Sequence, residues 1–502
     1  MSPEVQKALK TVNDTLDRVE IYYHACGVIS FDQETICPPA SMETQGEVSA
    51  FLADKAFRLT KTKRFIDAAE LLYDRRGELD DRDRTLAESL HRSYAWVKNI
   101  TPAMNHQFDL AHNRSYVNWL KAKQSDDFAI FAPSLREVRE IELKRIALKE
   151  DALPEKYDNL LDQYERGMTS ARLDEAFGAF KARVLPLTHR IVARKKKIRT
   201  DFLSRPVTDE QQRQMAEWLL RLMGFDFERG AFTTTEHPFT DSHGRNDTRV
   251  TTHYYADNFL SSIYSILHEG GHALFDQNIP REDFDHHINN CMTMGQHESV
   301  SRFYENVIGR SEAFINLMYP KAKEIFPEVL CDVSPRELYE AVNLVRPSLV
   351  RLEADELTYS FHIIIRYELE KALVDGAITL DELPKAWADK YEAYLGVRPQ
   401  GDAEGVLQDV HWSGGFGYFP TYALGNMYNC MYRNRMAQDF DVDAAVAKGD
   451  FGTINAWMRE HEWALANQQD AATWIRAITG RDFTPDDFAD YLERKYTALY
   501  GL

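Results

Sequence analysis

The sequence predicts a mainly helical fold carrying one small β element, and three observations predict it. Apolar residues recur at spacings of three and four along most of the chain, strand-like text is confined to two short runs near its middle, and no tract rich in Gly, Ser or Pro divides it. With 502 residues and 44% hydrophobic content the chain is long enough to bury a large core. It reads as one unit over 1–502, a helical half over 1–230 followed by a half over 231–502 that carries the chemistry.

In the first half, Leu52-Ala56-Leu59, Leu86-Leu90-Tyr94 and Leu173-Phe177-Phe180-Val184-Leu187 show the helical period. The strand signals are Ala231–Phe239 and Thr248–Tyr255, both rich in Thr and aromatics. The turn-forming stretch Thr240–Asn246 separates them, which predicts a small β-hairpin or ribbon. Helices then resume to Leu502. Asp257–Ile279 is the clearest: Asp257 or Asn258 can cap its start, Pro280 ends it, and Phe259, Ile263, Ile266, Leu267, Gly270 and Leu274 share one side. Gly295–Arg310 is next, with Val300, Phe303, Val307 and Ile308 on its apolar side.

The net charge of −19 sets an overall repulsion against nucleic acid and acidic membrane surfaces. The one basic run, Arg194–Arg199, reads as a solvated face between helices. Five scattered cysteines without a CxxC pair favour a reducing compartment. The first residues lack the apolar core of a secretory signal, and no apolar stretch of roughly 18 residues occurs. A cytoplasmic protein without membrane attachment is expected.

His268-Glu269-Gly270-Gly271-His272 is an HExxH pattern inside the Asp257–Ile279 helix. Histidines four residues apart stand one turn apart on one face, spaced to bind a single Zn²⁺, with Glu269 beside them as a base. Each glycine costs a helix about 1 kcal/mol relative to alanine, so two in tandem indicate the close approach of another backbone or of a substrate. A catalytic zinc site also needs a third protein ligand and a place for water. Glu298, on the polar face of the next helix with Arg302 and Glu305, is the candidate; His297 and the pair His286-His287 are rival donors.

HEGGHALFDQ followed about 30 residues later by HES resembles the M32 (carboxypeptidase Taq) family of metallocarboxypeptidases. Four further motifs appear in the family's order: His237-Pro238-Phe239 for HPF, Asp247, Arg249 and Thr251 for DxRxT, Val350–Asp355 for IRxxAD, and Gly405–Trp412 for GxxQDxHW. Val350 stands for the usual Ile, and Val300 follows HES where Gln is common. The resemblance implies a saddle-like body with a deep groove, of the neurolysin and angiotensin-converting-enzyme architecture, in a homodimer. It also implies removal of single residues from peptide C-termini with broad preference, and one zinc per chain, with cobalt as a possible substitute, on His268, His272 and Glu298.

On that reading Glu269 takes a proton from water and returns it to the leaving amine, and His411 and Tyr422 donate to the developing oxyanion, with Tyr418 competing with Tyr422. A guanidinium suits recognition of a free α-carboxylate; Arg351 is the first choice and Arg249 the second. The strand-like segments around His237 and Arg249 offer to pair with an extended peptide, and Asp247, Asp355 and Asp409 are candidates for orienting the zinc histidines. The competing readings are an endopeptidase or aminopeptidase with the same metal chemistry, or a catalytically silent metal-binding protein.

Overall fold

The computed structural model describes residues 1–502. Nine α-helices fill Pro3–Met223, a three-stranded sheet follows, and twelve further α-helices run from Phe259 to Tyr500. The mainly helical class with one small sheet is as the sequence predicts. No helix is long and apolar enough to cross a membrane, and all five cysteines are unpaired. The basic run is largely ion-paired or hydrogen-bonded: Lys196 reaches Glu340 at 3.0 Å, Arg199 reaches Asp201 and Asp332, and Arg194 donates to the Tyr500 carbonyl.

Two cores organise the helices. A cluster of 100 buried residues runs from Ala122 to Tyr500 and surrounds the helix carrying HEGGH. A satellite of 11 is built from Val5 to Ala87 on the first helices, closed by Ile288 from the segment that follows that helix. Polar bridges reinforce the junction: Arg82 pairs with Asp283 at 2.8 Å, His286 Nδ1 lies 2.7 Å from Asp83, and His287 Nδ1 lies 2.6 Å from Glu20. The rival donors His286 and His287 are therefore engaged at this junction, outside the group formed by His268, His272 and Glu298.

The sheet differs in topology from a simple hairpin of the two strand-like runs. β1 (Gly230–Thr234) pairs in parallel with β3 (Thr248–Thr252), from Gly230 against Thr248 to Thr234 against Thr252. The intervening β2 (Thr240–Ser242) pairs antiparallel with β3 on its other side, placing Thr240 against Val250. The order is β1-β3-β2, with β3 central and mostly buried. Part of the stretch read as a turn is thus an edge strand. Its polar residues hid it, because backbone pairing at an exposed edge needs no apolar side chains. The true turn lies beyond it, around Gly244 at φ +123°.

The HEGGH helix spans Phe259–Asn278; the Asn258 side chain accepts from Ser261 N at its start. The next helix is Met294–Arg302, opened by a reciprocal cap between Thr293 and Gln296. From Phe303 to Ile308 it widens into a π turn rather than continuing as α-helix to Arg310, a distortion that recurs at functional sites.

Candidate metal centre

Helix packing at the tandem glycines creates the site. A Cβ on Gly271 would stand 2.7 Å from Ser301 Cα and 3.0 Å from the Val300 carbonyl oxygen, so only glycine lets the Met294–Arg302 backbone lie this close. Of the two reasons for tandem glycines, close backbone approach is the one found. Gly270 instead faces the Met223 and Leu220 side chains of the helix Asp209–Met223. On the far side, Gly425 of the helix Pro420–Asp439 abuts Glu298 itself, where a Cβ would meet Glu298 Cγ at 3.0 Å. Glu298 is clamped between two glycine-lined helices.

This packing brings together His268, His272 and Glu298, the three residues that the sequence singles out for one metal site. Glu298 Oε2 lies 3.7 Å from His268 Nε2 and 3.4 Å from His272 Nε2. Donors about 2.0–2.2 Å from one tetrahedral centre stand about 3.3–3.6 Å apart, so the nitrogen and carboxylate set fits a small cation such as zinc. Glu298 Oε1 is taken by Arg302 Nε at 2.8 Å, and Oε2, which accepts from the Ser301 hydroxyl at 3.1 Å, faces the histidines.

Burial alone would lower the basicity of His268, but the Glu298, Glu305 and Glu269 carboxylates outweigh it and hold it up at about 9. Burial, aided by the neighbouring His297, takes His272 down to about 4, so that ring is neutral. Burial also opposes ionisation of Glu298, yet Arg302 and the two histidines hold its carboxyl well below the usual range. Glu269 is pushed up by burial. The Thr240 hydroxyl on β2 fixes it, lying 2.9 Å from Oε2 and 2.8 Å from the Glu269 carbonyl oxygen. The edge strand hidden in the sequence therefore sets the orientation of the candidate base.

His268 Nδ1 donates to Glu305 Oε2 at 2.9 Å, which turns Nε2 toward Glu298. None of the three aspartates considered for this orienting role performs it. Asp247 is committed to Arg249, Asp355 caps the helix Glu356–Asp375, and Asp409 binds Arg351 and Arg366. The spacing Glu298, Arg302, Glu305 along one helical face was the available signal for Glu305. His297 stacks on His272 with centroids 4.4 Å apart and sits 3.2 Å from Asp276, outside the three-donor cluster. Val300, in place of the common Gln, is fully buried.

The remaining candidates separate. His411 Nε2 is 3.4 Å from Tyr422 OH, and Tyr418 packs edge-on to Tyr422 with centroids 5.3 Å apart. Tyr422 lies one turn before Gly425, the residue against Glu298. Burial, with Arg351 and Arg366 nearby, takes His411 down to about 4. Burial likewise keeps the Tyr422 phenol protonated, its pKa raised, and so a donor. Arg351 is buried and pairs with Asp409 at 3.0 Å rather than with Glu353 or Asp355, its guanidinium over the Tyr422 ring at 5.0 Å. Arg249 makes a two-bond pair with Asp247 and stacks over Phe31, while His237 is exposed in the loop after β1.

Comparison with known proteins places the whole chain among carboxypeptidases. Residues 11–496 match the family model described as carboxypeptidase Taq (M32) metallopeptidase. Carboxypeptidase 1 of Bacillus subtilis is 35% identical over 99% of this chain and 100% of its own. Thermostable carboxypeptidase 1 of Thermus thermophilus is 36% identical over 96% of this chain and 97% of its own. The crystal structure of an M32 carboxypeptidase from Deinococcus radiodurans superposes with a TM-score of 0.93, at 29% identity over 100% of both chains.

Proposed function

The chain belongs to the carboxypeptidase Taq (M32) family of metallopeptidases, and on that premise we propose a zinc enzyme that removes single residues, with broad preference, from free peptide C-termini. The observation that carries this reading is the convergence of half-buried His268 and His272 on buried Glu298, at spacings close to those of a tetrahedral site, beside a Thr240-anchored Glu269. A zinc ion held there supplies Lewis acidity that polarises a carbonyl and makes water more acidic. Glu269, raised in pKa by burial, accepts the proton of the attacking water and passes it to the leaving amine. Tyr422 and His411, a protonated phenol and a neutral imidazole, donate to the scissile carbonyl oxygen as it gains charge. Arg351 holds the terminal carboxylate, and β2 offers its free edge to the peptide backbone.

The test is one peptide in two forms, with a free and an amidated C-terminus. Stepwise loss of mass from the free form, with the amidated form intact, is expected; internal cuts in either would overturn the exopeptidase reading. The family resemblance also supports a homodimer, which sedimentation at twice the chain mass checks.

A cation and a proton compete for His268 Nε2. Because its neighbours hold His268 at about 9, the ring is protonated below that pH, and loading the site at pH 7 must displace about one proton. Metal affinity therefore weakens by about tenfold per pH unit on going down from pH 9. Calorimetric titrations of metal into the stripped protein, in two buffers of different ionisation enthalpy, are expected to show release near one proton. Release near zero would contradict the charge assignment.

A further inference from the structure

Between the metal ligand Glu298 and the arginine assigned to the substrate carboxylate lies an unbroken run of polar contacts that meets at one phenol. Arg302 donates through Nε to Glu298 Oε1 at 2.8 Å, through Nη1 to Glu305 Oε2 at 3.1 Å, and through Nη2 to Tyr359 OH at 2.7 Å. It thus touches a metal ligand and the carboxylate that orients a second one. From the other side Arg351 Nη1 donates to the same Tyr359 oxygen at 3.4 Å. The rest of the Arg351 fork is held by Asp409, which also pairs with Arg366 at 2.6 Å. Tyr359 is buried on the helix Glu356–Asp375, and the Arg302 guanidinium packs over its ring at 4.2 Å.

We infer that Tyr359 is a positioning residue that couples capture of the substrate's terminal carboxylate to the metal ligand set. Its oxygen accepts from two guanidiniums that would otherwise repel each other, and so fixes their spacing. Drawing Arg351 toward a carboxylate shifts what Tyr359 offers Arg302, and Arg302 on Oε1, together with the Ser301 hydroxyl on Oε2, sets how Glu298 faces the histidines. Phenylalanine at this position keeps the packing and removes only the shared acceptor. Hydrogen bonds to charged groups are strong enough that losing one changes an equilibrium by about tenfold or more.

The inference rests on Arg351 as the carboxylate-binding residue, so the experiment carries both Tyr359→Phe and Arg351→Gln. For each zinc-loaded variant, kcat and KM on a free-acid peptide are measured, together with zinc retention against a chelator series and the melting temperature. Tyr359→Phe is expected to raise KM about tenfold and to weaken zinc retention about tenfold in the same protein, with a melting temperature near that of the parent. A purely structural tyrosine would lower the melting temperature and leave KM and metal retention in place. A change in only one of the two quantities, or in neither, overturns the coupling. If Arg351→Gln raises KM while Tyr359→Phe does not, the coupling fails and the assignment of Arg351 survives. If Arg351→Gln leaves KM unchanged, the assignment itself falls and takes the coupling with it. Should Tyr359→Phe fold poorly, Arg302→Lys, which keeps the charge but loses the fork, must reproduce the joint shift or refute it.

Discussion

Replacing Glu269 with glutamine is expected to lower kcat by about three orders of magnitude, within the span attributed to general acid–base catalysis, while the protein still binds one metal ion. The amide is nearly isosteric, can still accept from Thr240, and contributes no atom to the His268–His272–Glu298 set. What disappears is the ability to carry a proton between water and the leaving amine. The measurement is kcat on a free-acid peptide beside metal content by mass spectrometry. Turnover within about tenfold of the parent would remove Glu269 from the proton-carrying role; loss of metal would show that it serves the metal site. Burial raises the pKa of this carboxyl, which brings its basicity closer to neutrality than that of an exposed glutamate and suits it to give the proton back as well as to take it. The same burial makes the Thr240 contact matter, because a buried carboxylate without fixed donors would be free to turn away from the metal.

What the sequence discloses about this site follows from how local each interaction is. His268, Glu269 and His272 share one helix, so their arrangement is written in a five-residue pattern, and the cap at Asn258 and the stop at Pro280 are equally local. Glu298 is legible as a polar residue on the next helix, and its neighbours Arg302 and Glu305 lie at helical spacing from it. That Glu305 rather than an aspartate orients His268 depends on the π turn at Phe303–Ile308 and on interhelix packing, neither of which has a periodic signature. Thr240 was hidden more completely, since β2 is three polar residues whose strand character comes from β3. Tyr359 reads as one apolar position among many on a nearly all-buried helix. Arg351 was legible through the motif that contains it, but its pairing with Asp409, some sixty residues away in the chain, belongs to tertiary structure alone.

The tandem glycines yield a second large effect, and neighbouring substitutions are expected to behave oppositely. Alanine favours a helix over glycine by about 1 kcal/mol, so both Gly270→Ala and Gly271→Ala begin with that gain. At Gly270 the new methyl would meet Met223 Cε at 2.9 Å and Sδ at 3.1 Å, the far end of a flexible side chain that can swing aside. Gly270→Ala should therefore leave the melting temperature unchanged or slightly raised, with activity retained. At Gly271 the methyl would press on Ser301 Cα at 2.7 Å and the Val300 carbonyl at 3.0 Å, which are backbone atoms of the helix carrying Glu298. That helix has no room to retreat, because Gly425 closes the other side of Glu298. Overpacking of this kind costs about 1–3 kcal/mol, enough to cancel or exceed the helical gain. The displacement also falls on the metal ligand, where an error of about 1 Å can cost on the order of 10²-fold in rate. Gly271→Ala is expected to lose roughly that factor in kcat/KM and to weaken metal retention, with a lower melting temperature. Equal behaviour of the two variants would mean that the glycines serve the helix backbone itself, and that the close approach of the Glu298 helix is not what sets the geometry of the site.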